Sequence, residues 1–241
     1  MTSETTLDNI ALDSWYAKGV NAQMIHYTAK IFSRHMTRGN YLELGPAEGL
    51  LTECLQAWAN EMTLVDGSSH FCAGLREKFP NARVIHAMFE SFTSDDEFDI
   101  IVLGHVLEHV DDPVLILQRL RPLLKKGAKL LAAVPNSKSL HRQAAVIMEL
   151  LDQESAMSAA DIHHGHKRVY NPELFRQHFV DAGFTINVFG GYWLKPLSDK
   201  QLEQSWSPPM LDAFMQLGES YPEIAAENYI VATAEASDVE G

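Results

Sequence analysis

The chain has 241 residues, 46% of them hydrophobic, enough to bury the core of one α/β domain with embellishments. Nineteen basic against 32 acidic side chains give a formal charge of −13, which opposes the approach of a large polyanion and argues against nucleic acid as a substrate. No apolar run reaches the ~18 residues of a membrane span, and no basic-then-apolar start marks a secretory signal, so a soluble, cytoplasmic protein is expected.

In chain order, residues 1–8 read as unstructured. Apolar positions from Ile10 to Met36 recur at helical spacing and predict one or two leading helices, an N-terminal helical cap over 1–36. Trp15, Tyr16, Asn21, His26 and Tyr27 partly share a face of it. Strand 40–44, helix 49–59, strand 62–66, helix 69–79 and strand 82–87 follow. Cys54 and Cys72 fall on these helices with no partner pattern and read as small core hydrophobes, not as a disulfide or a metal pair. Residues 98–103 form a near-continuous apolar strand of the kind buried on both faces. A helix over 112–124 and a strand over 128–134 complete an alternation that implies a mainly parallel sheet with helices on both sides. A mostly helical excursion over 139–160 and a polar loop over 161–170 come next. Asn171 can cap a helix with Pro172 in its first position, and Gly183 can end it. Strands are expected at 184–190 and 227–234, separated by an insertion over 192–226. The tail, 235–241, has little means of packing.

The nonamer Tyr41-Leu42-Glu43-Leu44-Gly45-Pro46-Ala47-Glu48-Gly49 is an apolar strand that turns sharply into a helix. Gly45 and Gly49 let the backbone approach a ligand, and the helix start supplies free N–H groups. Asp66, at the end of the next strand and just before Gly67 and Ser68, can accept both hydroxyls of a ribose. Together these describe a nucleoside pocket. A dinucleotide fingerprint needs Gly-x-Gly-x-x-Gly, but Ala47 occupies the second glycine's place. Glu43 would repel a pyrophosphate and can pair with an ammonium group.

Glu43-x-Gly45-x-x-x-Gly49 with Asp66 resembles motif I of the class I S-adenosylmethionine-dependent methyltransferases, and the likeness extends over roughly 40–190 and more weakly to 234. The resemblance implies a Rossmann-like α/β fold. Its seven-stranded, mostly parallel sheet would run in the order 3-2-1-4-5-7-6, with the last two strands antiparallel. The methyltransferase domain would span 37–234, with insertions at 137–170 and 192–226 and the leading helices as a lid. It also implies S-adenosyl-L-methionine as cofactor, bound through Glu43, Gly45, Pro46, Gly49, Asp66, Gly67 and Ser68. Met88, Phe89 and Glu90 fall where such enzymes hold the adenine. Many relatives place an aspartate near position 88, so Met88 leaves more of the task to backbone atoms and apolar stacking.

Leu103-Gly104-His105-Val106-Leu107-Glu108-His109-Val110-Asp111-Asp112-Pro113 resembles the stretch that follows the fourth strand in that family. His105 lies at the carboxyl edge of this strand, where the strand order reverses, and is expected to face both sulfonium and acceptor. Its imidazole can take a proton near neutral pH or hydrogen-bond the cofactor. Glu108 and His109 are assigned to the following turn and helix. The run His163-His164-Gly165-His166 could bind a divalent metal, but no carboxylate pattern accompanies it and no metal is expected. The resemblance places this loop, with Arg168 and Tyr170, over the acceptor pocket. His163 or His164 can act as base or orient an anionic group, while His166 and Arg168 pin the loop. Tyr16 and Tyr27 either reach the methionine carboxylate or the acceptor, or pack on the sheet as the aromatic face of an amphipathic helix. Lys195 can meet an acidic group of the substrate.

The resulting expectation is methyl transfer to an O or N atom of a small biosynthetic metabolite or short peptide, with neither nucleic acid nor membrane as partner and a homodimer left open. Two alternatives stand beside it. One is a nicotinamide- or nucleotide-sugar-dependent oxidoreductase; the other is a non-catalytic subunit of the same fold that supports a partner.

Overall fold

A computed structural model describes residues 7, 8, 11–14 and 16–234; Trp15 and the tail over 235–241 lie outside the described residues. Helix α1 (Gly19–Ser33) leads into strand β1 (Gly39–Leu44), followed by α2 (Leu50–Leu55), β2 (Ala59–Asp66), α3 (Ser69–Lys78) and β3 (Arg83–His86). Next come β4 (Phe98–Gly104), α4 (Pro113–Leu120), β5 (Leu124–Pro135), α5 (Leu140–Ile147) and α6 (Ala159–His163). The chain ends with α7 (Pro172–Asp181), β6 (Phe184–Tyr192), α8 (Asp199–Ser205), α9 (Pro208–Gly218) and β7 (Glu227–Ala234).

The seven strands form one sheet in the order β3-β2-β1-β4-β5-β7-β6, as the resemblance implied. Strands β1 to β5 pair in parallel, and β7 lies antiparallel between β5 and β6. Strand β4 shows why its sequence is apolar at successive positions. Ile101 and Leu103 pack into a core with α4 and α7, while Ile100 and Val102 pack into a second core with α1, α2 and α3. In α1, Val20, Tyr27, Ile31 and Phe32 make the buried stripe that enters this second core, so the leading helix is one layer of the sandwich.

Capping explains several boundaries. Asn171 accepts from the Leu174 N–H with Pro172 in the first helical position, Asp112 does the same for Leu115 ahead of Pro113, and Gly183 takes φ +79° just after α7. The mostly helical excursion expected over 139–160 divides into two helices with a loop between them. Helix α5 stops at Ile147, and the Arg142 side chain donates to the carbonyls of Glu154 and Ala156, which holds the intervening loop against it. A capping box between Ser158 and Asp161 then restarts the chain as α6. The expectation that residues 1–8 are unstructured fails at Leu7 and Asp8. The Asp8 carboxylate accepts from the hydroxyls of Ser68 and Ser69 at 2.6 and 2.8 Å, fastening this turn to the start of α3. No helix among the described residues is long and apolar enough to cross a membrane.

Candidate active site

The strand order reverses between β1 and β4, and the turns that leave the carboxyl ends of β1 to β4 open there onto a cavity of about 810 Å³. Alternation along β1 turns Tyr41 and Glu43 toward α2. The hydroxyls of Tyr41 and Thr52 both donate to Glu43 Oε2 at 2.7 Å, in a carboxylate that is almost wholly buried and lines the cavity. Burial pushes its pKa up to about 7, against these two bonds, which lower it.

The turn after β1 needs unusual backbone angles. Gly45 has φ +68°, its N–H donates to the Val65 carbonyl at 2.8 Å, and an added Cβ would stand 2.9 Å from Val106 Cγ2. Ala47, at φ +49°, aims its N–H at Asp66 Oδ2 (3.3 Å), while Ser68 N–H donates to Asp66 Oδ1 (2.8 Å). Burial nevertheless raises Asp66 to about 6. Pro46, Gly67 and Ser68 line the cavity, as do Met88, Phe89 and Glu90 on the turn after β3. Gly49 stands outside the lining. It bends the chain into α2, and a Cβ there would meet the Phe79 ring at 2.6 Å.

At the end of β4, His105 adopts φ +60° and donates its N–H to the Ala133 carbonyl at 3.0 Å. Its Nδ1 stands 3.5 Å from Glu108 Oε1 and 3.7 Å from Glu227 Oε2. Burial works to lower the imidazole pKa, but the two carboxylates outweigh it and hold it above its ordinary value. Burial pushes Glu227 up to about 7 and His109 down to about 4. For Glu108, burial opposes ionisation, yet the surrounding imidazoles prevail and lower its pKa.

The histidine loop is stitched onto this turn. Arg168 donates to the carbonyls of Leu107, Val110 and Asp111, and Lys167 N–H donates to the Glu108 carbonyl at 2.8 Å. His164 and His166 thereby line the cavity. His166 Nδ1 lies 3.1 Å from Asp161 Oδ1, and Asp161 also accepts from Arg142 and Ser158. Tyr16 joins them, with its ring 4.9 Å from that of His164 and its hydroxyl donating to the His164 carbonyl. His163 lies outside the lining, with Nε2 3.3 Å from the Asp13 carbonyl oxygen. Tyr27 also lies outside the lining, stacked on Tyr192 and donating its hydroxyl to Glu219. Lys195 reaches the cavity already paired with Asp199 at 2.6 Å.

Three residues of the acceptor end went unread in the sequence. Ser158-x-x-Asp161 carries a capping-box signature that could have placed Asp161, whereas nothing local marks Arg142 or Glu227.

A family model described as a methyltransferase domain matches residues 16–187, more than half of the chain. Over 167 residues, 66% of this chain and 68% of the relative, the sequence is 21% identical to the ubiquinone biosynthesis O-methyltransferase of Aeromonas salmonicida. The fold is similar to that of a Thermotoga maritima S-adenosylmethionine-dependent methyltransferase described as a possible histamine N-methyltransferase. That likeness has a TM-score of 0.65 at 17% identity and covers 96% of this chain and 97% of the other. It is also similar to the N-methyltransferase NodS of Bradyrhizobium japonicum in complex with S-adenosyl-L-homocysteine. There the TM-score is 0.64 at 12% identity, covering 98% and 100% of the two chains.

Proposed function

Since this chain belongs to the methyltransferase family, with S-adenosyl-L-methionine as its cofactor, we propose that it transfers a methyl group to an O or N atom of a small metabolite or short peptide. One observation carries the reading. A single cavity runs from the buried carboxylates Glu43 and Asp66 to an end lined by His105, Glu108, His164 and Glu227. Its volume of about 810 Å³ lies high in the range of roughly 300–1,000 Å³ usual for one ligand, which suits a cofactor with a small acceptor beside it.

The residues fit the cofactor. Glu43 keeps both hydroxyl donors on one oxygen, so the carboxylate is oriented to pair with the ammonium of the methionine part. The bare backbone at Gly45 forms a cradle that a Cβ would fill. Asp66 accepts ribose hydroxyls while its two backbone bonds hold it still, and Met88 to Glu90 flank the adenine. When bound, the cofactor supplies a methyl carbon made electrophilic by its sulfonium. What the chain adds is orientation: His105 and the histidine loop hold the acceptor's lone pair in line with that carbon and close the site from water. The net charge of −13 supports a small acceptor over a polynucleotide.

Calorimetry with S-adenosylmethionine and with NAD, combined with methyl uptake across hydroxyl, amine and carboxylate acceptors, tests the reading. Adenosylmethionine is expected to bind, with Asp66→Asn costing about 1–3 kcal/mol through lost charge-assisted hydrogen bonds. Binding of NAD without adenosylmethionine, or methyl uptake only by nucleic acid, overturns it.

A further inference from the structure

The acceptor end of the cavity carries a donor set that methyl transfer alone does not require. We propose that Glu108, His109 and His166 form a binding site for a divalent transition-metal ion of the zinc type. One donor atom from each lies within 4.8 Å of the others. Bonds of about 2.0–2.2 Å would place tetrahedral donors roughly 3.3–3.6 Å apart, so the three side chains must close on the ion by up to about 1.5 Å.

Glu108 is the telling residue. Its side chain is 0% exposed, and neither carboxylate oxygen accepts a hydrogen bond of good geometry; its contact with His105 Nδ1, at 3.5 Å from Oε1, is at the outer limit of one. Glu43, Asp66 and Asp161, three other buried acids on the carboxyl side of the sheet and its loops, each accept at least two hydrogen bonds, whereas Glu227, like Glu108, has an oxygen that accepts none and faces the same imidazole, His105, at 3.7 Å. A buried carboxylate served only by one long imidazole contact is left under-satisfied, and a cation would complete it. Two imidazoles are poised to share that cation. His166 is fixed by Asp161 at Nδ1, the carboxylate–histidine arrangement that orients metal-bound imidazoles and directs Nε2 to the ion. The His109 ring lies edge-on to it with centroids 4.7 Å apart.

Two imidazoles and a carboxylate suit Zn²⁺, Co²⁺, Fe²⁺ or Ni²⁺, whereas Mg²⁺ and Ca²⁺ prefer all-oxygen sets. All three side chains line the cavity, so the remaining coordination positions face the space assigned to the acceptor. The consequence for chemistry rests on the methyl-transfer reading. A hydroxyl acceptor bound to the ion would release its proton to solvent near neutral pH. Its oxygen would then bond the methyl carbon as the carbon–sulfur bond breaks and its electron pair returns to sulfur. An oxygen acceptor able to reach the ion is the substrate class this site selects.

The test uses the full-length, tag-free chain, stripped with a chelator and titrated with Zn²⁺ and Co²⁺. We expect one ion per chain and, for Co²⁺, a visible spectrum of mixed imidazole and carboxylate ligation. Glu108→Gln and His166→Gln should each weaken the ion's affinity at least as much as Asp161→Asn, for which about 10–100-fold is expected. His163→Gln, outside the cavity, should bind as wild type does. Adenosylmethionine binding, measured on the same samples, shows that each variant is folded. A chain that binds adenosylmethionine but no ion, or that binds the ion equally well in both ligand variants, overturns the metal site and leaves the methyl-transfer reading intact. A chain that binds the ion but no adenosylmethionine does the reverse.

Discussion

At one end of the cavity Glu43 and Asp66, at the carboxyl ends of β1 and β2, stand beside Met88 on the turn after β3, three neighbouring parallel strands within about fifty residues of sequence. At the other, Glu108, His166, Lys195 and Glu227 come from four separated segments, joined by contacts such as Lys167 N–H to the Glu108 carbonyl. The first end is complete once the strands pair. The second exists only when the histidine loop closes onto the turn after β4. Two ends assembled by different contacts should therefore fail separately.

Arg168→Ala is the strongest way to break them apart. Its guanidinium holds the carbonyls of Leu107, Val110 and Asp111, and removing it leaves them without this donor. A loss of about 2–4 kcal/mol in denaturant unfolding is expected, together with collapse of methyl transfer, while calorimetry finds adenosylmethionine affinity unchanged. A parallel loss of cofactor affinity would mean that the ends are built as one.

Glu43→Gln reverses the pattern. The amide keeps the packing beside Tyr41 and Thr52 but loses the charge, so adenosylmethionine binding should weaken by about 1.5–3 kcal/mol, with metal binding at the far end unaltered. Equal affinity would remove the ammonium from this corner.

How much of each end was legible follows from the same difference. Glu43, Gly45 and Asp66 announce themselves through spacing, because strand, turn and helix are consecutive in the chain. His105 was legible from its place at the strand-order reversal. Glu108 reads in sequence as a residue that stabilises the following turn and helix, since nothing near it in the chain reveals that the loop 57 or so positions later buries it among imidazoles. The histidine run lacked a carboxylate in sequence for the same reason. In the fold, Glu108 supplies it from another strand's turn and Asp161 from the preceding helix. The break in the 139–160 excursion depends on Arg142 bonding carbonyls more than ten residues away, which helical periodicity cannot register.

The pH response sharpens the comparison at the first end. Glu43 is raised to about 7 and Asp66 to about 6, both by burial, so each is protonated in the empty fold at pH values where an exposed carboxylate is ionised. A raised carboxylate favours the fold below its unfolded pKa, and that contribution is lost as pH climbs toward the folded value. The cofactor-free chain should thus melt at lower temperature at pH 8 than at pH 5.5 on account of these groups, and Glu43→Gln should flatten the slope. Adenosylmethionine needs the ionised form. Its affinity should fall by up to about tenfold for each pH unit below 7. Affinity independent of pH between 5.5 and 8 would exclude Glu43 as the group that meets the ammonium.

The smallest effect separates two tyrosines that the sequence treats alike. Tyr16 lies against His164 and lines the cavity, so Tyr16→Phe should lower turnover by loosening the histidine loop. Tyr27 packs on Tyr192 and donates to Glu219, well inside the helical layer. Tyr27→Phe removes that hydrogen bond and should cost about 1 kcal/mol of stability with kcat and KM unchanged. Steady-state kinetics at saturating adenosylmethionine decide the matter. A fall in kcat for Tyr27→Phe equal to that for Tyr16→Phe would show that the acceptor end extends through α1, and that closure of the loop alone does not complete it.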